Sequence, residues 1–299
     1  MERKKWPEKE PKLRNALGQT GTYAALILFG FLIVFPFIWM FSTAITPGNE
    51  VFAWPPRLIP SRAAWGNFRE AIVQYRFGGY MVNTLIVACI STASSVFFNA
   101  LAGYTFGKLK FPGRDLLFFL VLASIMIPLQ ITMVPVFIMF KNMPLAGGNN
   151  LFGAGGTGLI DTLTSLVLPG LATTFGTYLA KEHFAALPWE LLDSGRIDGL
   201  SEGQIFWKIY LPLAKPVLAT VAIFSFTETW NNFVWPLVMT SSPEKRTVQL
   251  ALSGMKGQYF SDWHLLMAAT IFTALPCFIV YLIGQKQFTQ GVAMTGLKE

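Results

Sequence analysis

Along this chain the apolar residues come in unbroken runs rather than in the two-residue or three-to-four-residue rhythms of a half-buried strand or helix. Six runs stand out, at about residues 23–46, 81–106, 116–140, 164–181, 213–239 and 263–284. Each is near the ~20 residues that carry a helix across a bilayer. With no water there to satisfy backbone groups, such a run must close its hydrogen bonds within itself. The pattern predicts an all-α integral membrane protein with six transmembrane helices. The third run carries Pro128, Gln130, Thr132 and Pro135. Prolines with polar neighbours predict a broken helix that lines protein or a cavity rather than lipid.

Polar intervals divide the runs. Residues 1–20 read as a tail, 21–285 as the transmembrane domain and 286–299 as a second tail. The first interval, 47–79, holds WPPRLIPSRAAW, whose prolines and tryptophans predict an ordered interfacial segment. A short basic turn, KLKFPGR at 108–114, follows the second run. Residues 141–163 are rich in glycine and include GAGGTG at 153–158. That spacing matches a dinucleotide-binding turn, but the motif needs a strand before it and a helix after it. Between two spans, it reads as a flexible outer loop.

The interval at 182–212 has the most organised spacing, above all LPWELLDSGRIDGLSEGQIFWKIYLP at 187–212. Pro188 suits a first helical turn, and Glu190 and Asp193 put negative charge near the positive end of that helix's dipole. The pattern runs to Asp198 and meets Gly199, the residue best able to take a left-handed closing conformation. Ser201 and Gln204 have capping-box spacing for a second helix. Ile205, Ile209 and Leu213 lie four apart on one face of it, and Pro212 marks its far end or the start of the next helix. Two short helices around a glycine elbow, on a loop between spans, call for an external partner to pack against.

Composition agrees with the runs. The 299 residues are 53% hydrophobic and 13% charged, where a soluble domain carries about 25%. The net charge of +7 is read through membrane orientation rather than nucleic acid. With both termini in the cytoplasm, the inner segments hold 15 Lys and Arg and the outer loops 8, which favours that orientation and places 182–212 inside. Arg57, Arg62, Arg69 and Arg76, all in one outer loop, are the exception. Cys89 and Cys277 fall inside apolar runs and read as small buried hydrophobes, and His183 and His264 have no ligand cluster near them. No metal site is expected.

Neither a phosphate-binding GxxxxGK[ST] loop, nor GxSxG, nor HExxH occurs, so no catalytic residue and no ATP hydrolysis by this chain are expected. One acidic residue, Glu228 in FTETWNNFVWP, lies well inside a run. A charged group there is costly and marks a substrate or ion pathway, or else a carboxyl kept for helix packing. Trp230, Asn231 and Asn232 add an aromatic face and polar groups suited to sugars, and Gln130 joins them as a candidate pathway residue. The same groups would also serve hydrogen bonding between helices.

The 187–212 stretch resembles the EAA loop of bacterial ABC-importer permeases: EAA, three residues, Gly, nine residues, Ile-x-Leu-Pro. Here Asp193-Ser194-Gly195 stands where EAA would, Gly199 follows after three residues, and Ile209-Tyr210-Leu211-Pro212 after nine more. NTLIV at 83–87, LAGYTF at 101–106, KFPGR at 110–114, WNNFVWPL at 230–237, GQY at 257–259 and the FTQG…GLKE ending are similar to the maltose-type carbohydrate branch. The glycine-rich loop is longer than that branch would have.

The resemblance implies a type I importer subunit in the cytoplasmic membrane of a bacterium or archaeon. It would pair with a second, related permease, rest on two cytoplasmic ATPase subunits that hold ATP and Mg, and receive sugar from an extracytoplasmic binding protein. No cofactor would be bound by this chain. Residues 187–212 would be the coupling helix, with Glu190, Asp193, Ser194, Gly195, Asp198, Gly199, Ile209 and Pro212 serving the ATPase contact, and the C-terminal tail would touch the ATPase pair. The alternatives are the same architecture carrying glycerol phosphate or another polar solute, and an ion-coupled carrier.

Overall fold

The computed structural model describes residues 12–256 and 262–296. The 257–259 motif and the two chain ends beyond these limits lie outside the described residues. Every regular element among them is helical. Helix α1, Lys12–Ala44, leads through an irregular stretch to α2, Gly66–Gln74, and then to α3, Phe77–Lys108. At ~1.5 Å per residue, α3 is long enough to cross a bilayer and project beyond it. It is the axis of the molecule, packing on α2, on two later spans and, through Tyr104, on the 187–213 segment.

The expected break in the third run is sharper than a kink. Helix α4, Arg114–Ala123, ends in a 3₁₀ turn at Ser124–Met126, and α5, Leu129–Lys141, leaves it at 105°. Ile127 is extended because it precedes Pro128, which has no N–H to continue the helix. Pro135 sits inside α5 without ending it.

The glycine-rich loop, expected from its composition to be flexible, carries its own set of side-chain hydrogen bonds. Asn149 donates to the carbonyls of Lys141 and Met143 and accepts from the Gly156 N–H, while Asn150 accepts from the N–H groups of Phe152 and Ala154. The glycines let the main chain fold onto itself: Gly153 and Gly158 have positive φ and touch the backbone of residues 140–142. The loop ends at Asp161, whose carboxylate accepts from the Ser241 and Ser242 N–H groups and the Ser242 hydroxyl. The Ser242 hydroxyl, with those amides, holds the Asp161 carboxyl below its ordinary pKa.

Helix α6, Leu163–Val167, and α7, Thr174–Ala186, form the fourth crossing with a break at Leu168–Gly170, and α7 continues past the expected end at 181. The 187–213 segment follows as α8, Glu190–Ile197, α9, Glu202–Ile205, a π turn at Phe206–Tyr210, and α10, Leu211–Leu213. Helix α11, Lys215–Asn231, leaves this segment at 79°, and α12, Val234–Met239, completes the fifth crossing. Helix α13, Val248–Gly254, precedes the last, α14, Trp263–Gly296. Among the described residues four segments are each long and apolar enough to cross a membrane, and counting each bent pair as one span brings the number to as many as six.

The ends of α3 separate the two faces of the molecule. Near its start, Asn83 donates to the carbonyls of Glu244 and Arg246, and Thr84 accepts from the Val248 N–H. At its far end lies the 187–213 segment. Midway, the fully buried Asn99 donates to Ser95 and Thr173 and accepts from the Thr173 N–H and the Thr177 hydroxyl, and Ser95 meets Ser225 of α11 at 2.7 Å. Asn99 thereby satisfies the backbone freed by the break between α6 and α7, as a bilayer interior requires.

Candidate functional site

The 187–213 segment is built from two complete end motifs. Helix α8 closes in the manner expected of Gly199, at φ +77°: the Gly199 N–H donates to Arg196 O at 3.1 Å and the Leu200 N–H to Gly195 O at 3.0 Å. Two residues later the capping box forms, the Ser201 N–H donating to Gln204 Oε1 at 2.9 Å and the Gln204 N–H to Ser201 Oγ at 3.4 Å. The Arg196 guanidinium spans the elbow to Glu202 at 2.6 Å, and Tyr104 of α3 donates to the other Glu202 oxygen at 3.2 Å. The Glu202 carboxylate pushes the Arg196 guanidinium above its ordinary pKa. The angle between the two short helices is therefore held by backbone, cap and charge together.

The expected need for an external partner is half met from within. Leu192, Ile205, Phe206 and Tyr210 are buried with Tyr104 of α3 and Phe184 of α7. The predicted stripe through Leu213 does not form, because Leu213 is exposed and Phe206, Tyr210 and Ala214 are buried in its stead. The π turn takes up one extra residue and so rotates the helix face beyond it. Of the two readings of Pro212, the structure has the second: it stands in the first turn of α10, which ends at Ala214. Ile209 is half-buried, and its tip, with Ile205, lies against Gly195. A Cβ on Gly195 would come 2.9 Å from Ile205 and 3.1 Å from Ile209, which gives a steric reason for glycine at the third position of Asp-Ser-Gly.

The other face stays open. Glu190, Asp193, Ser194 and Ile197 occupy i, i+3, i+4 and i+7 of α8, all exposed, with Asp198 beside them. Ile197 is 85% exposed. A bare isoleucine ringed by three carboxylates is a surface able to fill an apolar pocket with basic groups at its rim.

The second set of predicted residues divides. Trp230 is 1% exposed, its Nε1 donating to Thr273 O at 3.0 Å and its ring stacked on Phe226. The solute-facing role expected of Trp230 is corrected: its indole is committed to packing between α11 and α14. Glu228 is exposed, on a face of α11 that also carries Phe224, Thr227 and Asn231. Asn231 accepts from Gln249 of α13 at 3.0 Å and donates to Thr227 O at 2.8 Å. Asn232 caps α12 by accepting from the Trp235 N–H at 3.2 Å. Gln130 is exposed in the first turn of α5, away from this face in sequence and in element. Of the five candidates, Glu228 and Asn231 share one open polar surface.

A family model described as "Binding-protein-dependent transport system inner membrane component" matches residues 99–294, two thirds of the chain and all of the 187–213 segment. The chain belongs to this permease family. The permease is 29% identical to the lactose transport system permease protein LacG of Rhizobium radiobacter, over 94% of this chain and 97% of that one. It is 30% identical to the arabinooligosaccharides transport system permease protein AraQ of Halalkalibacterium halodurans, over 90% and 92%. It is equally similar, at 30%, to the sn-glycerol-3-phosphate transport system permease protein UgpE of Yersinia pestis, over 89% and 93%. A solved bacterial ABC transporter involved in import of the acidic polysaccharide alginate has a chain that superimposes with a TM-score of 0.78 at 22% identity, over 94% of this chain and all of that one. The permease fold is thus that of a type I ABC-importer transmembrane domain.

Sequence reasoning passed over Lys108, Gly103 and Asn99. For Gly103 a signal existed: Gly103 and Gly107 have the four-residue spacing of close-packed membrane helices. For Lys108 there was none, since a lysine after an apolar run ordinarily sits in the headgroup region.

Proposed function

We propose that this permease forms half of the translocation pathway of an ATP-driven importer for sugars, oligosaccharides in particular, and couples that pathway to a cytoplasmic ATPase. The observation that carries the reading is the open face of α8, where Glu190, Asp193, Ile197 and Asp198 are all exposed. Gly195, Gly199, Ile209 and Pro212 shape the segment that presents this face, and Ser194 lies on it. Two ATPase subunits holding ATP and Mg, a second related permease and an extracytoplasmic binding protein complete the assembly in a bacterial cytoplasmic membrane. Opening to one side or the other is then a two-state rigid-body change biased by ATP binding. This chain performs no chemistry of its own.

The α11 face with Glu228 and Asn231 is the proposed solute path. The similarity to glycerol-phosphate permeases keeps that solute class as a second reading, but an acidic side chain on the path offers a phosphate no complementary charge. Glu228→Ala is expected to lower uptake several-fold without changing the yield of assembled complex, and Glu228→Gln to recover part of it. Loss of assembly in the alanine variant with normal transport in the glutamine variant would make Glu228 a packing residue.

The test of the whole reading is purification of the native complex through a tag on this chain. ATPase subunits and a second permease should copurify, and candidate sugars with the binding protein should stimulate hydrolysis. ATP hydrolysis by this chain alone, or uptake driven by an ion gradient without ATPase subunits, would refute it.

A further inference from the structure

The coupling face explains how an ATPase could grip this chain, but not how a displacement of α8 reaches the membrane. Lys108, the last residue of α3, supplies a physical link. Its side chain is 1% exposed, and no carboxylate pairs with it among the described residues. The ammonium donates to the Leu187 carbonyl at 2.5 Å, lies 4.4 Å from the centre of the Trp189 ring and 5.7 Å from that of Tyr210. Leu187 closes α7 and Trp189 opens α8, so one cation holds both sides of the root from which the coupling segment hangs.

A buried ammonium with no carboxylate in contact is costly, and here it is compensated by the negative end of α7 and by two aromatic faces, with the Glu190 charge of α8 adding at longer range. All three partners belong to the coupling segment or its root. If α8 swings while α3 and α7 stay, the ammonium loses the Trp189 ring that shields it and is left desolvated on that side with nothing in its place. The two must move as a unit. Above this point α3 and α7 are already locked, because Gly103 and Gly107 of α3 lie against the backbone of Ala180, Lys181 and Ala185.

We propose that Lys108 is the positioning residue through which movement of the coupling helix is delivered to α3. This rests on the coupling role proposed above for residues 187–212. Its charge, not merely its bulk, is the operative property, since a neutral stem of equal length would fill the space and leave the Leu187 carbonyl and both rings without an electrostatic partner.

The test uses the complete complex with Lys108→Met and Lys108→Arg, reading solute imported per ATP hydrolysed. Lys108→Met is expected to keep the ATPase subunits bound and hydrolysing, while the solute-to-ATP ratio falls about tenfold, the scale of one charge-assisted hydrogen bond. Lys108→Arg should restore most of the ratio. An unchanged ratio in Lys108→Met, or a ratio in Lys108→Arg as low as in Lys108→Met, would overturn the proposal. If Lys108→Met does not assemble, Trp189→Leu decides: it keeps apolar bulk and removes the ring, and a normal ratio there overturns the proposal. Absence of ATPase subunits from the wild-type complex would instead refute the coupling reading itself.

Discussion

Gly199→Pro is expected to abolish uptake while leaving the chain in the membrane. Position 199 has φ +77°, and proline is confined to about −65°, so the elbow cannot close around it. Proline also removes the N–H that donates to Arg196 O at 3.1 Å, the bond that ends α8. The combined strain and lost bond amount to at least ~2 kcal/mol concentrated at one turn. The transmembrane helices do not depend on that turn, because a Cβ at Gly199 would meet no atom within 4 Å. The damage therefore falls on the angle between α8 and α9, on the reach of Arg196 to Glu202, and on the direction in which Glu190, Asp193 and Ile197 face. Membrane insertion and the yield of this subunit should stay near wild type by quantitative blotting, while copurification of ATPase subunits and uptake both fall by at least about tenfold. Gly199→Asn is the graded control, since asparagine tolerates left-handed backbone and should keep partial uptake. Wild-type uptake in Gly199→Pro would mean that the elbow is not the transmitter.

What the sequence revealed and what it hid divide by range. The apolar runs were legible because a bilayer demands long, locally hydrogen-bonded helices, and the caps around Gly199 and Ser201 because both motifs close within a few residues. The 105° turn at Pro128 was foreshadowed by its proline but not its angle, which depends on what packs beside it. The π turn at Phe206–Tyr210 was invisible, and it displaced the predicted stripe, since a period of 3.6 cannot anticipate one inserted residue. Trp230 shows a different limit. Its neighbours made it look like a sugar platform, but a tryptophan in a helix bundle serves equally as packing, and only Thr273, 43 residues away, settles which. Lys108 is the extreme case, its meaning resting entirely on Leu187, 79 residues on.

The same long-range logic gives the largest effect on stability, at Gly103. Helices α3 and α7 approach so closely there that a single methyl group would stand 2.4 Å from Ala180 Cβ and 2.8 Å from the Ala180 and Lys181 backbone. Backbone cannot rotate away as a side chain can, so Gly103→Ala must push the two helices apart. That separation opens the packing of Ala100 on Ala180 and pulls at the bonds of Asn99 with Thr173 and Thr177. Overpacking of this kind costs about 1–3 kcal/mol, with the strained polar knot adding to it. Gly79→Ala in the same helix is the proper comparison, since its added Cβ meets nothing within 4 Å and alanine there gains up to ~1 kcal/mol of helix propensity. Purified complex carrying Gly103→Ala should melt several degrees below wild type and be recovered in lower yield, while Gly79→Ala melts at or above it. Equal melting temperatures for the two variants would show that α3 and α7 are free to separate, and would remove the rigid body on which transmission from Lys108 depends.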